Sequence, residues 1–163
     1  MRKLTTTLCP TIAVLLGSVG VSWSADFEKG VAAYKSGEYA TALREFKRLA
    51  KQGLAPAQYN LGLMYANGRG VPQDYKTTVK WYRLAAEQGN ANAQNNLGML
   101  YAFGDEVPKD YVRAHMWGNV AIYIGGKNKG KVRDLVEKKM TPAEITEALK
   151  LFGECFRKKY KGC

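Results

Sequence analysis

His115 is the only histidine in the chain. A histidine serves as a general base where a nucleophile or an orienting carboxylate lies within hydrogen-bond reach. Its neighbours Met116 and Trp117 supply neither, so a structural or surface place is expected for it. Asp105 and Glu106 are adjacent acids that could ligate a cation, but no other acid clusters near them in sequence, and a solvated loop explains them. Gly68-Arg69-Gly70 has the glycines of a phosphate cradle without its lysine and hydroxyl residue, and it follows a helical pattern rather than a strand. Glu144, Glu147 and Glu154 fall on the polar side of one helical pattern, as a solvated face does. Two late cysteines and one distant histidine cannot complete a tetrahedral metal set. The expectation is no catalytic residue, no metal and no cofactor.

The start of the chain bears on where it works. Arg2 and Lys3 precede an uncharged apolar run from Leu8 to Val21, and Ser22-Trp23-Ser24 places small residues where a signal peptidase reads. Residues 1–24 therefore read as a secretory leader cut after Ser24, and the expected location is periplasmic or secreted. The rival is an uncleaved anchor, for which the run is short of the roughly 20 residues a span needs. Cys9 leaves with the leader. Cys155 and Cys163 then remain in an oxidising compartment, where one disulfide is expected and two free thiols are the alternative.

A formal net charge of +11 over 163 residues draws the chain to anionic surfaces. Export removes nucleic acid from that set and leaves lipid headgroups, acidic polymers and acidic proteins. The charge concentrates late: Lys127, Lys129, Lys131, Arg133, Lys138, Lys139, Arg157, Lys158, Lys159 and Lys161. Solubility alone explains such a section. The sharper reading assigns anionic docking to Lys127, Lys129, Lys131, Arg157, Lys158 and Lys159.

Any site must be positioned by a repeat. Leu61, Gly62, Tyr65, Gly68, Pro72, Asp74, Tyr75, Trp81, Ala85 and Gly89 recur 36 residues later as Leu97, Gly98, Tyr101, Gly104, Pro108, Asp110, Tyr111, Trp117, Ala121 and Gly125. A fixed period of this length means an array of small units that bury their cores against one another. Each unit reads as two helices. The second unit pairs a helix from about Pro56 to Ala66 with one from about Asp74 to Gln88, and Asp74 is a good N-cap. The third pairs Ala91 to Ala102 with Asp110 to about Ile124. A divergent first unit begins at Asp26 and continues from about Glu38 to Lys51, closed by Gly53. Recurrence of Tyr65, Tyr101, Trp81 and Trp117 argues for core packing. Small residues at Gly62 and Gly98 let the paired helices approach closely.

After Gly125 the copy stops. Residues 127–139 form a basic helical segment with Val132, Leu135 and Val136 on its apolar side. Thr141-Pro142-Ala143-Glu144 is a capping box with proline at the first helical position. Ile145, Leu149, Phe152 and Phe156 then make one apolar stripe on a last helix, and residues 127–163 read as the atypical unit that covers the end of the core.

LGLMYANGRGVPQDYKTTVKWYRLAAEQGNANAQ resembles the Sel1-like repeat, a relative of the tetratricopeptide repeat with a longer inter-helix loop. The third unit departs from it at Glu106, Gly118 and Ile122. GEYATALREFKRLA is closer to a plain tetratricopeptide unit, and MTPAEITEALKLFGEC is similar to tails of small exported bacterial Sel1-like proteins. The resemblance implies an all-α, right-handed α-α solenoid of about three helix pairs. Its parts are the leader, units at residues 25–58, 59–94 and 95–126, and the cap at 127–163. It also implies adaptor work. In tetratricopeptide-like arrays the first helix of each pair lines the concave side, which would turn Tyr59, Leu63, Asn67, Asn95, Met99 and Phe103 inward, with plain packing as the alternative for each. The reading is a non-enzymatic protein- or peptide-binding module. Its alternative is an envelope protein docked on anionic lipid or polysaccharide through its basic section. An exported enzyme or enzyme inhibitor is the third, with no residues to carry it.

Overall fold

A computed structural model describes residues 17–104, 107–125 and 130–163; for residues 17–22 only the backbone is described. Its regular structure among these is helical throughout: α1 Gly17–Ser36, α2 Tyr39–Lys51, α3 Ala55–Asn67, α4 Tyr75–Ala86, α5 Ala91–Phe103, α6 Tyr111–Ile124, α7 Lys131–Glu137 and α8 Pro142–Arg157. Successive helices pack as hairpins, α1 with α2, α3 with α4 and α5 with α6, and each hairpin leans on the next. The fold is an α-α solenoid.

Side-chain caps fix the starts of α4, α5, α6 and α8, while α2, α3 and α7 have none. Asp74 accepts from the Thr77 amide at 3.0 Å, and Asp110 accepts from the Arg113 amide at 2.8 Å. Asn90, unremarked in the sequence reading, caps α5 by accepting from the Ala93 amide at 2.9 Å. The Thr141–Glu144 capping box is present at the head of α8. Each such cap is worth about 1 kcal/mol, because a helix start otherwise leaves its first amides bare. Helix α1 begins upstream of Asp26 and runs through Ser24, and Trp23 packs against the first core cluster. Most of residues 1–24, with Cys9, lies outside the described residues. No helix among the described residues is long and apolar enough to cross a membrane.

Two core clusters form. The first gathers Ala42, Phe46, Leu49, Leu61 and Met64, with Trp81 and Tyr65 packed on its side. The second gathers Tyr82, Leu97, Tyr101, Trp117, Val120, Val132 and Val136. The recurring aromatics therefore pack inside the array. Ion pairs join α1 to α2: Lys29 meets buried Glu45 at 3.1 Å, and Arg48 meets Asp26 at 2.7 Å.

The close approach at the repeated glycines is real. A Cβ on Gly62 would lie 2.5 Å from the Tyr82 ring, so only glycine admits that ring across α3. Residue 118 is the counterpart of Tyr82, and it is glycine. A Cβ there would lie 2.9 Å from Arg133 of α7, and a Cβ on Gly98 would lie 3.0 Å from Val132. Loss of the aromatic ring in the third unit opens the seat that α7 fills with Val132. This departure from the repeat is what ends it.

The cap differs from expectation at its outer side. In α8 the buried residues are Ala148 and Cys155, while Leu149 and Phe156 are 50% and 42% exposed. Leu135 of α7 is also exposed. The stripe centred on Phe152 and Phe156 therefore lies at the rim of the α6–α8 contact, because small Ala148 and the disulfide sulfur occupy the centre of it.

Candidate functional site

A cleft of about 290 Å³ lies between α3, α4 and α5. Its floor is Tyr82, admitted by Gly62 and stacked on Tyr59 with ring centroids 5.7 Å apart. Asn96 of α5 donates its amide to the Tyr82 hydroxyl at 3.2 Å, which ties the floor to the next unit. Leu63 and Asn67 of α3 line one wall, and Met99 and Phe103 of α5 line the other. Phe103 is an exposed ring.

Of six residues expected to face inward, Leu63, Asn67, Met99 and Phe103 meet in this cleft. Tyr59 reaches it through its stack on Tyr82. Asn95 does not line it; Asn96 does. The correction is one of helical phase, since consecutive residues differ by about 100° around the axis. Asn96, Met99, Leu100 and Phe103 form one i, i+3, i+4, i+7 series along α5, of which the expectation holds Met99 and Phe103. Tyr75, Tyr82 and Leu100 also line the cleft without having been assigned to it.

Among the described residues, no charged side chain lines the cleft. Burial pushes the Tyr82 hydroxyl well above the ordinary tyrosine range, and burial raises Tyr59 too, with Asn96 acting the other way on both. Both rings stay neutral. Asn67 spends its amide on the Leu63 carbonyl at 2.8 Å, so its own carbonyl oxygen remains to accept from a ligand. Tyr82 accepts from Asn96 and keeps its hydrogen to donate. Apolar walls with a few oriented polar groups are the lining of a binding cleft.

The other candidates do not converge. His115 is buried on α6, with Nδ1 3.0 Å from the Asn119 amide and Nε2 3.5 Å from Glu137 of α7. A carboxylate does reach it, from 22 residues along the chain, but among the described residues no hydroxyl or thiol bonds to it. Burial pushes its pKa down more than Glu137 raises it. Gly70, of the glycine pair read against a phosphate loop, packs on the Tyr39 backbone, and Arg69 donates to the Tyr34 hydroxyl at 2.7 Å. That loop binds the neighbouring unit. Asp105, Glu106, Lys127 and Lys129 lie outside the described residues. Lys131 is exposed at the head of α7, and Arg157, Lys158 and Lys159 are exposed at the end of α8. Cys155 and Cys163 form a disulfide, and the Gly162 amide beside it donates to Glu87 at 3.1 Å. No cluster of His, Cys, Asp and Glu among the described residues could hold a metal.

The Sel1 repeat family model matches residues 55–90 and 91–122, the α3–α4 hairpin and most of the α5–α6 hairpin. The crystal structure of a Sel1 repeat protein from Oxalobacter formigenes is 34% identical, over 74% of this chain and 92% of that one, with a TM-score of 0.61. The chain belongs to the Sel1 repeat family. A second solved structure similar to this Sel1 repeat protein is a protective antigen present in uropathogenic Escherichia coli strains, which displays an SLR fold. It is 31% identical over 88% of this chain, with a TM-score of 0.80, and the match spans 32% of the antigen. Among curated proteins, DAP3-binding cell death enhancer 1 of Rattus norvegicus and of Mus musculus is 45% identical over 40 residues. That stretch is 24% of this chain and only 8% of those relatives, so the likeness concerns the repeat unit. Sel1 repeats in general mediate protein–protein interaction and are typically non-catalytic scaffolds.

Proposed function

We propose that this Sel1 repeat protein is a non-enzymatic adaptor that holds a peptide segment of a partner protein in the cleft between α3, α4 and α5. The observation that carries this reading is the meeting of Leu63, Asn67, Met99 and Phe103 around the Tyr82–Asn96 floor. An apolar side chain of the peptide seats between Met99 and Phe103, while Asn67 and Tyr82 meet its backbone. Methionine and phenylalanine adapt well to such a side chain. The protein works in the cell envelope or as a secreted protein, a reading supported by the leader-like start and by the Cys155–Cys163 bridge.

The test is selection of peptides from a random display library on the full chain, followed by calorimetric titration of a selected peptide. Phe103→Ala combined with Leu63→Ala should weaken binding by at least about tenfold, the scale of a truncated anchor. Asn96→Ala should weaken it less. Peptides that bind both variants as tightly as the wild type would move the site elsewhere.

A further inference from the structure

The face of the molecule farthest from any use so far is the rim of α8. Tyr123 at the end of α6 is 61% exposed, and its ring lies edge-on to Phe156 with centroids 4.7 Å apart. Phe156 in turn neighbours Phe152 at 6.4 Å, and Leu149 stands one turn before it, half exposed. Exposed rings this close to one another form a patch, and a patch of this kind marks an interaction site. It is a ridge on one helix edge, and the residues of the peptide cleft take no part in it.

Cations close the end of the ridge. At about 100° per residue, Lys150 and Arg157 stand roughly a third of a turn around α8 from it, between the ridge and the acids Glu147 and Glu154 on the far side. Lys158, Lys159 and Lys161 follow in the closing turn. The Cys155–Cys163 bridge folds that turn back, and the Tyr160 amide donates to the Cys155 carbonyl at 2.9 Å, so the lysines stay beside Phe156. None of Arg157, Lys158, Lys159 and Lys161 makes an ion pair among the described residues; Lys150 alone has one, with Glu147 at 3.7 Å. Their charge is uncommitted.

We propose that this ridge docks the protein on an anionic lipid surface, with Tyr123, Phe152 and Phe156 entering the headgroup boundary and Arg157 and the closing turn meeting phosphates. Aromatic rings and apolar side chains beside basic ones bind such an interface by apolar burial plus electrostatic attraction. A second copy of the chain is disfavoured, because it would bring two such cationic edges together in a chain of net charge +11. An acidic protein partner would want pockets for its anchors, whereas a ridge suits a soft plane. The docking leaves the peptide cleft free, so the proposal stands or falls independently of the adaptor reading.

The experiment is co-sedimentation of the full chain with vesicles of phosphatidylglycerol mixed with phosphatidylcholine, against vesicles of phosphatidylcholine alone. Wild type should partition to the anionic vesicles and be released by raised salt. Tyr123→Ser with Phe156→Ser should lower the partition by about tenfold. Arg157→Glu with Lys159→Glu should lower it at least as far. Every protein compared carries the same residues 1–24, so the differences report the ridge. Circular dichroism checks folding, and Tyr123→Ser alone serves if the double variant misfolds. Absence of binding, equal binding to neutral vesicles, or binding indifferent to the ring substitutions would overturn the proposal. So would dimers in sedimentation equilibrium that Phe156→Ser dissolves, or soluble polyglutamate held as tightly and with the same dependence on the rings.

Discussion

Gln88 donates its side-chain amide to the side-chain carbonyl of Gln58 at 2.8 Å, while Gln58 donates its own amide to the Ala50 carbonyl at 3.2 Å. One period on, Gln94 repeats Gln58 and donates to the Ala86 carbonyl at 3.0 Å. The counterpart of Gln88 is Ile124, and the buried Gln94 carbonyl oxygen has no hydrogen-bond partner among the described residues. The glutamine at this position is the polar rivet between units, and it is fully set only between the first and second. Gln58→Leu should therefore cost more stability than Gln94→Leu, by about 1 kcal/mol, since the second substitution also removes an orphan acceptor. Urea unfolding of the two variants measures the difference.

Gly118→Tyr restores the ring that the second unit has at Tyr82. It should displace α7 rather than improve the repeat, because Arg133 and Val132 already occupy that space. The expected loss is about 1–3 kcal/mol from overpacking. Hydrogen exchange should quicken in residues 131–137 and remain slow in α2 and α3.

Replacing Cys163 by serine opens a loop of sequence separation 8 and leaves Cys155 as a buried thiol. The entropic cost of so short a loop is about 2 kcal/mol. The clearer effect should be local, because the contact between the Gly162 amide and Glu87 depends on the tail being held. Limited proteolysis read by mass spectrometry should show early loss of residues 158–163 in Cys163→Ser.

Acid should weaken the fold in two separate windows. The pKa of His115 is depressed in the folded state, chiefly by burial, so the unfolded chain binds the proton first. Its contribution is present above the unfolded value of about 6.5 and is lost as pH falls through the lower folded value. Glu45 is depressed chiefly by its hydrogen bond with Lys29, so its contribution is present above the unfolded carboxylate value of about 4.3 and is lost below it. His115→Gln should flatten the fall in Tm between about pH 7 and pH 5 and leave the later fall in place. An unchanged slope in that window would remove His115 from the account.

The solenoid was legible in the sequence because the repeat is a statement about packing. Leu61, Gly62 and Trp81 return at fixed spacing since each unit must bury its face against the next, and the spacing alone implies stacked hairpins. Caps at Asp74, Asp110 and Thr141 were legible too, because a cap needs only residues three apart. Of the residues lining the cleft, the helical pattern pointed to Leu63, Asn67, Met99 and Phe103.

What the sequence left open are the contacts that join distant segments without a period. Nothing local to Gly118 says that Val132 of α7 will take the vacant seat, nothing near His115 announces Glu137, and an apolar stripe through Phe152 and Phe156 is equally compatible with a buried face and an exposed one. Periodicity encodes which residues share a side of a helix; how far that side is covered depends on the volume of what arrives opposite. At α8 small Ala148 and the Cys155 sulfur take the centre of the contact, and the larger rings are left at its edge.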